Sequence, residues 1–469
     1  NSNIIDSGSG LYINGSNVGL DYIKLTNGGV YLTPNSKNFS INSVSVNDKP
    51  LVYLNYTSNV LISNAGEVIA FNSRNLYIKN SNLSNATIGA LLYNVNNSFI
   101  SNIITNNEYL YSINLRGDND TVSGIIEFSK SNMGNIYITG NFDTLKNVVA
   151  EHQFLGNIYI TGNYNTIENI LIKYNNQGGF YINGNYEISD NDTIQDVFIV
   201  DNLYGIFRAF INDSSINSVA VINDSSGTIS ENSVGFVIGG NHNVLENLTA
   251  KDNGYGMSLG GIDNILTDSI IENNSYYGLV LSNSQGDLIY NNIFNNTNNL
   301  DIILSWAYFN ISLHQGINIL GGNVIGGNAW LSPNGNGFSQ TCSPMPSLQD
   351  ICSKPYIIGV NSTDYYPLKY PQEINYTTTS ITTTTTTSLP TTSSSSTTST
   401  SQITTTSSTL TPTQTSTSST LTPTQTSNIS TSSSTPPLIS HKSSIMTIVI
   451  AVVVAVVVIA AAVIIIRRS

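Results

Sequence analysis

The chain is poor in charge. Only 10% of its 469 residues are Asp, Glu, Lys or Arg, against about a quarter in ordinary soluble domains. Basic residues are the scarcer sign, 16 against 29 acidic, for a formal net charge of −13. That excludes the basic footprint of a nucleic-acid binder. There are two cysteines, two tryptophans, four methionines and four histidines. The histidines, His152, His242, His314 and His441, are scattered, so no metal or cofactor is expected. Cys342 and Cys352 are close in sequence. In an extracellular chain they read as one local disulfide, which would contribute about 2–3 kcal/mol by the chain-entropy argument. A metal site at two cysteines without a nearby histidine is the weaker reading. The chain opens with neither Met nor an apolar leader, so the numbering is expected to begin after a removed signal peptide.

Asn, Ser, Thr, Tyr and Gly stand where charge is missing. In strong acid carboxylates are mostly protonated, and neutral hydrogen bonders then keep a surface wet. The composition therefore suits a cell surface in a hot acidic habitat; a neutral-pH glycoprotein surface is the alternative.

The middle of the chain repeats. GNIYITGNFDTLKNVV at Gly134–Val149 returns as GNIYITGNYNTIENIL at Gly156–Leu171, 22 residues on, and GGFYINGNYEI begins at Gly178 after the same interval. Short β-branched runs between Gly, Asn and Asp turns are strands. A unit this short cannot bury a face alone and must stack on its neighbours. The repeat thus predicts an all-β fold, a right-handed parallel β-helix (solenoid). About a dozen rungs at about 4.8 Å make a rod near 60 Å long. A second signal, apolar-x-(Asn/Asp/Ser)-apolar, places Asn102, Asn147, Asn169, Asp196, Asn247, Asp268 and Asn291 at one corner of successive rungs. Such residues tolerate left-handed backbone, and stacked amides can bond one another. This ladder is expected to face inward, so the sequons at Asn85 and Asn247 are expected to stay unmodified.

The pattern resembles the parallel β-helix repeats of carbohydrate-binding proteins and sugar hydrolases, including the NosD-like proteins. GGNAWLSPNGNGF within Gly321–Phe338, then PYIIGVNSTDYYPLKYP at Pro355–Pro371, is similar to the closing segment of archaeal NosD-like surface proteins. The resemblance covers about residues 1–371 and implies the fold. One fold carries many functions. The copper link of NosD is not carried over, because the His and Met are scattered.

Residues 1–40 read as an irregular start, the cap and first rungs; 41–300 as the solenoid; 301–371, with both tryptophans and both cysteines, as the cap at the other end. Wide steps from Asn169 to Asp196 and from Ser218 to Asn247 mark rungs with bulging loops. Residues 372–444 are almost wholly Ser and Thr with Pro and Gln, and Ser407–Ser416 is repeated at Ser418–Ser427. Such a tract cannot bury a core and reads as a glycosylated stalk. Ile445–Ile466 is 22 residues without charge, about 33 Å as a helix and enough to span a bilayer. Arg467 and Arg468 in the 467–469 tail favour a retained span with that tail in the cytoplasm and the rest at the cell surface; a removable lipid-anchor signal is the competing reading. Sequons at Asn14, Asn38, Asn55, Asn96, Asn119, Asn191, Asn212, Asn223, Asn273, Asn295, Asn310 and Asn375 are candidates for modification.

Three features could carry function. Asp118 and Asp120 flank Asn119 just after Arg116-Gly117, where a plain turn competes with a catalytic or calcium site. Glu127 aligns with inward Ala150 and Ile172, so it is either a neutral buried carboxyl with a raised pKa or a sign of register slip. Tyr137, Tyr159 and Tyr181 occupy one position on three rungs, alternating with inward isoleucines, with Asn114 before and Phe207 next. They are expected to form an outward aromatic strip, suited either to sugar rings or to a stabilising stack alone. The expected role is non-enzymatic: adhesin, envelope component or carbohydrate-recognition module, meeting glycans, other surface proteins or copies of itself. A surface-tethered polysaccharide lyase or glycoside hydrolase is the alternative, and it needs paired acids on one outer face.

Overall fold

The computed structural model describes residues 2–5, 10–33, 38–128, 135–152, 157–176, 178–182, 188–202, 205–222, 234–359 and 362–371. The chain divides into two units, Asn1–Thr378 and Thr379–Ser469, and the second lies wholly outside the described residues. So do the expected stalk and span, the sequons Asn223 and Asn375, and residues 183–187 and 223–233, which fall within the two wide repeat steps. No helix among the described residues is long and apolar enough to cross a membrane.

The first unit is a parallel β-solenoid of about 12 turns. One side of it begins with Lys49–Asn55, Glu67–Asn82 and Ile88–Asn96. It continues through Tyr111–Arg116, Asn135–Thr139, Ile158–Thr161, Gly178–Ile182 and Gly205–Asn212. Each strand pairs in parallel with the next. Registers are exact across the repeats: Ile136 lies on Ile158 and then Phe180, and Ile138 on Ile160 and then Ile182. The alternation of side chains along a strand sends these residues inward, where like stacks on like in one continuous apolar core.

Asparagine richness has a conformational cause. Rungs turn at three corners, and most corners among the described residues hold a residue with positive φ. Asn119, Phe142, Tyr164, Asn191, Asp213, His242 and Asp263 occupy the first, with φ between 49° and 61°. Asn102, Asn147, Asn169, Asp196, Asn247, Asp268 and Asn291 occupy the second; Asn107, His152, Tyr174, Asp201, Asp252 and Asn273 occupy the third. Asn and Asp adopt this region at the least cost of any residues with a side chain. The corner residue projects outward and the next residue turns in. The expected inward ladder is therefore an outward one: Asn102, Asn147, Asn169 and Asn247 are exposed, while Asp196 and Asp268 are half-buried and Asn291 is buried. Their amides do bond along the axis, Asn169 Nδ2 to Asn147 Oδ1 at 2.7 Å and Asn102 Nδ2 to Asn80 Oδ1 at 3.2 Å. Asn247 is exposed and Asn85 half-exposed, so burial gives no reason for these two sequons to stay unmodified.

The inward polar ladders are made by the residues that follow. After the third corner, Asn253, Asn274 and Asn296 are buried. Asn253 N–H donates to Asn274 Oδ1 (3.1 Å) and Asn274 N–H to Asn296 Oδ1 (2.8 Å), while their amides donate to Val221, Ala250 and Ile271 carbonyls. Corner backbone groups, which the strands leave unpaired, are satisfied in this way.

The first 46 residues are more regular than expected. Leu11–Ile13 pairs in parallel with Val30–Leu32, and Gly19–Asp21 with Ser40–Asn42. This small stack has its own core, which takes in Ile69, Phe71, Ile88 and Leu91. Ile69 lies between inward Val68 and Ala70, so the stack covers the outer face of the first solenoid rungs. At the other end the pairing runs past residue 300, with Ala329–Leu331 on Ile293–Asn295. Trp330 then closes the core, its ring 4.8 Å from Phe294 and its indole N–H on Asp364 at 2.9 Å. Cys342 and Cys352 are joined, as expected, in the hairpin that follows.

Asn243 tests the ladder. It is buried, accepts Ser214 N–H at 3.1 Å and donates to the Ile211 carbonyl and Asn264. Asn243→Ala strands buried backbone groups and should cost about 2–3 kcal/mol, read as a lower urea or thermal midpoint; an unchanged midpoint would mean that the ladder carries no stability.

Candidate ligand-binding strip

The outward positions of the Tyr111–Arg116 side carry the aromatic strip. Ile69, Leu91, Asn114, Tyr137, Tyr159, Tyr181 and Arg208 form one register column. The N-terminal stack covers its first two members, Asn114 is still buried, and the column emerges on the surface at Tyr137. Tyr111 and Tyr137 have ring centroids 6.3 Å apart, Tyr137 and Tyr159 6.1 Å, and Tyr159 and Tyr181 4.8 Å at an interplanar angle of 13°. All are half-exposed. Gly179 permits this arrangement: a Cβ there would lie 2.3 Å from the Tyr181 ring, so the ring folds flat over its own strand. Burial pushes the Tyr181 phenol up to about 12. Thr139 and Thr161, with their hydroxyls 3.1 Å apart, line the adjacent column.

Phe207 is not on the strip. It pairs with Phe180, not with Tyr181, and is fully buried between Phe180 and Phe236. Period-two alternation gives the outward place to Arg208, which the sequence reading passed over. Arg116 is the second missed residue, in the neighbouring column below Tyr93, with its guanidinium carbon 5.6 Å from the Tyr93 ring and 5.9 Å from Tyr137. Register through a loop of uncertain length was the missing signal for Arg208.

The acids lie elsewhere. Asp118 is exposed at the first corner, where its Oδ1 accepts the Asn141 backbone N–H at 2.8 Å. Asp120 is buried and belongs to an inward ladder. Ser98 N–H donates to Asp120 at 2.6 Å, Asp120 N–H to Asp143 at 2.8 Å, Asp143 N–H to Asn165 at 2.9 Å and Asn165 N–H to Asp192 at 2.8 Å. Burial pushes Asp120 up to about 8 and Asp143 and Asp192 to about 7. Glu127 does not slip: it sits in register with Ala150, buried. A second acid does meet it. The Ser112 hydroxyl lies within hydrogen-bonding reach of Glu127 and 3.2 Å from Glu108, which is also buried and pushed up to about 8. A hydroxyl has one proton to give, so one of these carboxyls is itself a donor. All three candidate acids thus serve the frame, and Glu108 and Glu127 are closed off from solvent.

Residues 217–335, about a quarter of the chain, match the family model described as periplasmic copper-binding protein (NosD). The match and the parallel β-solenoid of the first unit together fit a NosD-like parallel β-helix. Comparison with curated proteins and with solved structures gave no match. The copper in the family's description does not fit the donors present. Copper favours thiolate, thioether or imidazole. Both cysteines are bonded to each other, Met257 is buried in the core, and no group of three or more His, Cys, Asp or Glu among the described residues could hold a metal.

The Asp ladder sets a pH dependence. A carboxyl that binds its proton more tightly folded than unfolded favours the fold at pH below its unfolded value near 4, and that contribution is lost as pH rises through the folded value. With folded values of about 7 to about 8 for Asp143, Asp192 and Asp120, the thermal midpoint should fall between pH 5 and pH 8. In Asp143→Asn, which keeps the shape without the charge, the fall should be smaller; an equal fall in both proteins would refute this origin.

Proposed function

We propose that the chain is an extracytoplasmic recognition protein that binds carbohydrate on the Tyr137–Tyr159–Tyr181 strip without cleaving it. The observation that carries this is the strip itself: three phenol rings in one register, half-exposed, one per rung. Ring faces of this kind take the C–H faces of sugars, while the half-exposed Thr139 and Thr161 offer hydrogen bonds beside them. The disulfide and the periplasmic description of the matching family support a location outside the cytoplasm. The Ser/Thr-rich segment 372–444 and the apolar segment 445–466 would project and anchor this head at a cell surface, as in an adhesin or envelope component. Against a hydrolase or lyase stands the use of Asp118, Asp120 and Glu127 in the frame. An open cleft of about 780 Å³ near Trp306 and Gln285 holds one carboxylate, Asp301, where glycoside hydrolysis uses two.

The full-length protein should bind on a glycan array, and the combined Tyr137→Ala, Tyr159→Ala and Tyr181→Ala variant should lose at least about tenfold in affinity, since each ring–sugar stack is worth an aromatic contact. No reducing or unsaturated sugar ends should appear. Binding that survives the triple substitution would exclude the strip, and product release would make the protein an enzyme.

A further inference from the structure

We infer that the ligand of this strip is an acidic polysaccharide laid along the solenoid axis, with its anionic groups on Arg116 and Arg208; this rests on the carbohydrate reading above. Arginine is rare here. The described residues hold three, Arg74, Arg116 and Arg208, and two of them frame the tyrosines. In a chain of net charge −13, a cation placed for stability alone would be expected to meet a carboxylate. Neither does. The ion pairs among the described residues all use Lys or His. Asp118, two residues from Arg116, turns to the Asn141 amide instead.

Both guanidinium groups are held by rings; Arg116 is exposed and Arg208 half-buried. Arg116 is exposed over Tyr93 and Tyr137. Arg208 lies over Phe210, its guanidinium carbon 4.9 Å from the ring, with Nε buried on the protein side, so that a ligand would meet its terminal nitrogens. Stacking fixes the plane of a guanidinium and leaves its N–H edge free for the two-pronged hydrogen bonds that carboxylates and sulfates accept. Four rungs separate the two arginines, so they stand about 19 Å apart along the axis at about 4.8 Å per rung. An extended polysaccharide advances by about one sugar per rung spacing, so a short run of sugars would place rings on the three tyrosines and charges at both ends. The N-terminal stack closes the upper end: Tyr31 lies near Tyr111 and Arg116, giving the strip a wall.

The test uses three soluble polymers on one glucan backbone: carboxymethylcellulose, cellulose sulfate and uncharged hydroxyethylcellulose. Binding to the full-length protein is measured at low and high salt. At least one charged polymer should bind about tenfold or more tightly than the neutral one, and less so at high salt. Arg116→Gln and Arg208→Gln should each lose about tenfold, and Arg74→Gln nothing, with circular dichroism confirming that all three fold. Loss of carboxymethylcellulose binding below about pH 4, with cellulose sulfate unaffected, would mark carboxylate as the group read. Equal binding of the neutral polymer, or arginine variants that bind as wild type while the tyrosine variant fails, overturns the acidic ligand and leaves carbohydrate recognition standing. No binding of any polymer overturns both.

Discussion

Corner backbone groups are what this fold must satisfy. A rung of 22 residues turns three times, and most of the described turns take the chain through a left-handed residue and leave N–H groups facing the interior. In the middle of a long apolar core an unpaired N–H is costly. The protein answers with short polar side chains directed inward, each accepting a backbone N–H from the rung before. Strand pairing, apolar stacking and outer face all inherit the register that these bonds impose. A slip of one residue would send the isoleucines out and the tyrosines in.

That constraint explains where the acids go. Asp, Asn and Ser are interchangeable in the ladder because each offers an oxygen at the same place: Asp143, Asn165, Asp192 and Ser214 follow one another. Asp can play this part only if its buried charge is removed, and raised pKa values in a row are the consequence. The feature that in another protein would suggest an acid catalyst is here a property of the frame, and it is expected to make the fold more secure in acid than at neutral pH.

With the interior committed to structure, the recognition proposed for this head falls to the outer faces. One face is half covered by the N-terminal stack, and where that cover ends the tyrosines begin. Regular rung spacing turns a column of like residues into a ruler. The arginines at its ends stand out because the rest of the chain is so short of positive charge. Glycines at 179 and 239 keep the platform flat beneath Tyr181 and Phe210, whose rings occupy the space a Cβ would take.

The repeat, its period and the inward apolar residues were legible in the amino acids, since identical strings 22 residues apart can bury themselves only by stacking. The strip's tyrosines and the cysteine pair were legible for the same local reasons. Corner direction was not: a motif shows that Asn147 is at a turn, but the backbone hand decides that its side chain points out and that Asp143 and Asn175 point in. Nor did the sequence show that Phe207 belongs with Phe180, because the loop between two rungs hides the register until the strands pair. Glu108 meets Glu127 only because the corner at Asn107 turns it inward beside the next rung, where Glu127 pairs with Thr105, and the two arginines flank the tyrosines only because parallel stacking brings residues 92 positions apart onto the same face. Sequence determined the unit and its period, because those follow from local periodicity. Tertiary structure decided which polar groups are buried and which are offered to a partner, because that depends on register and handedness across rungs.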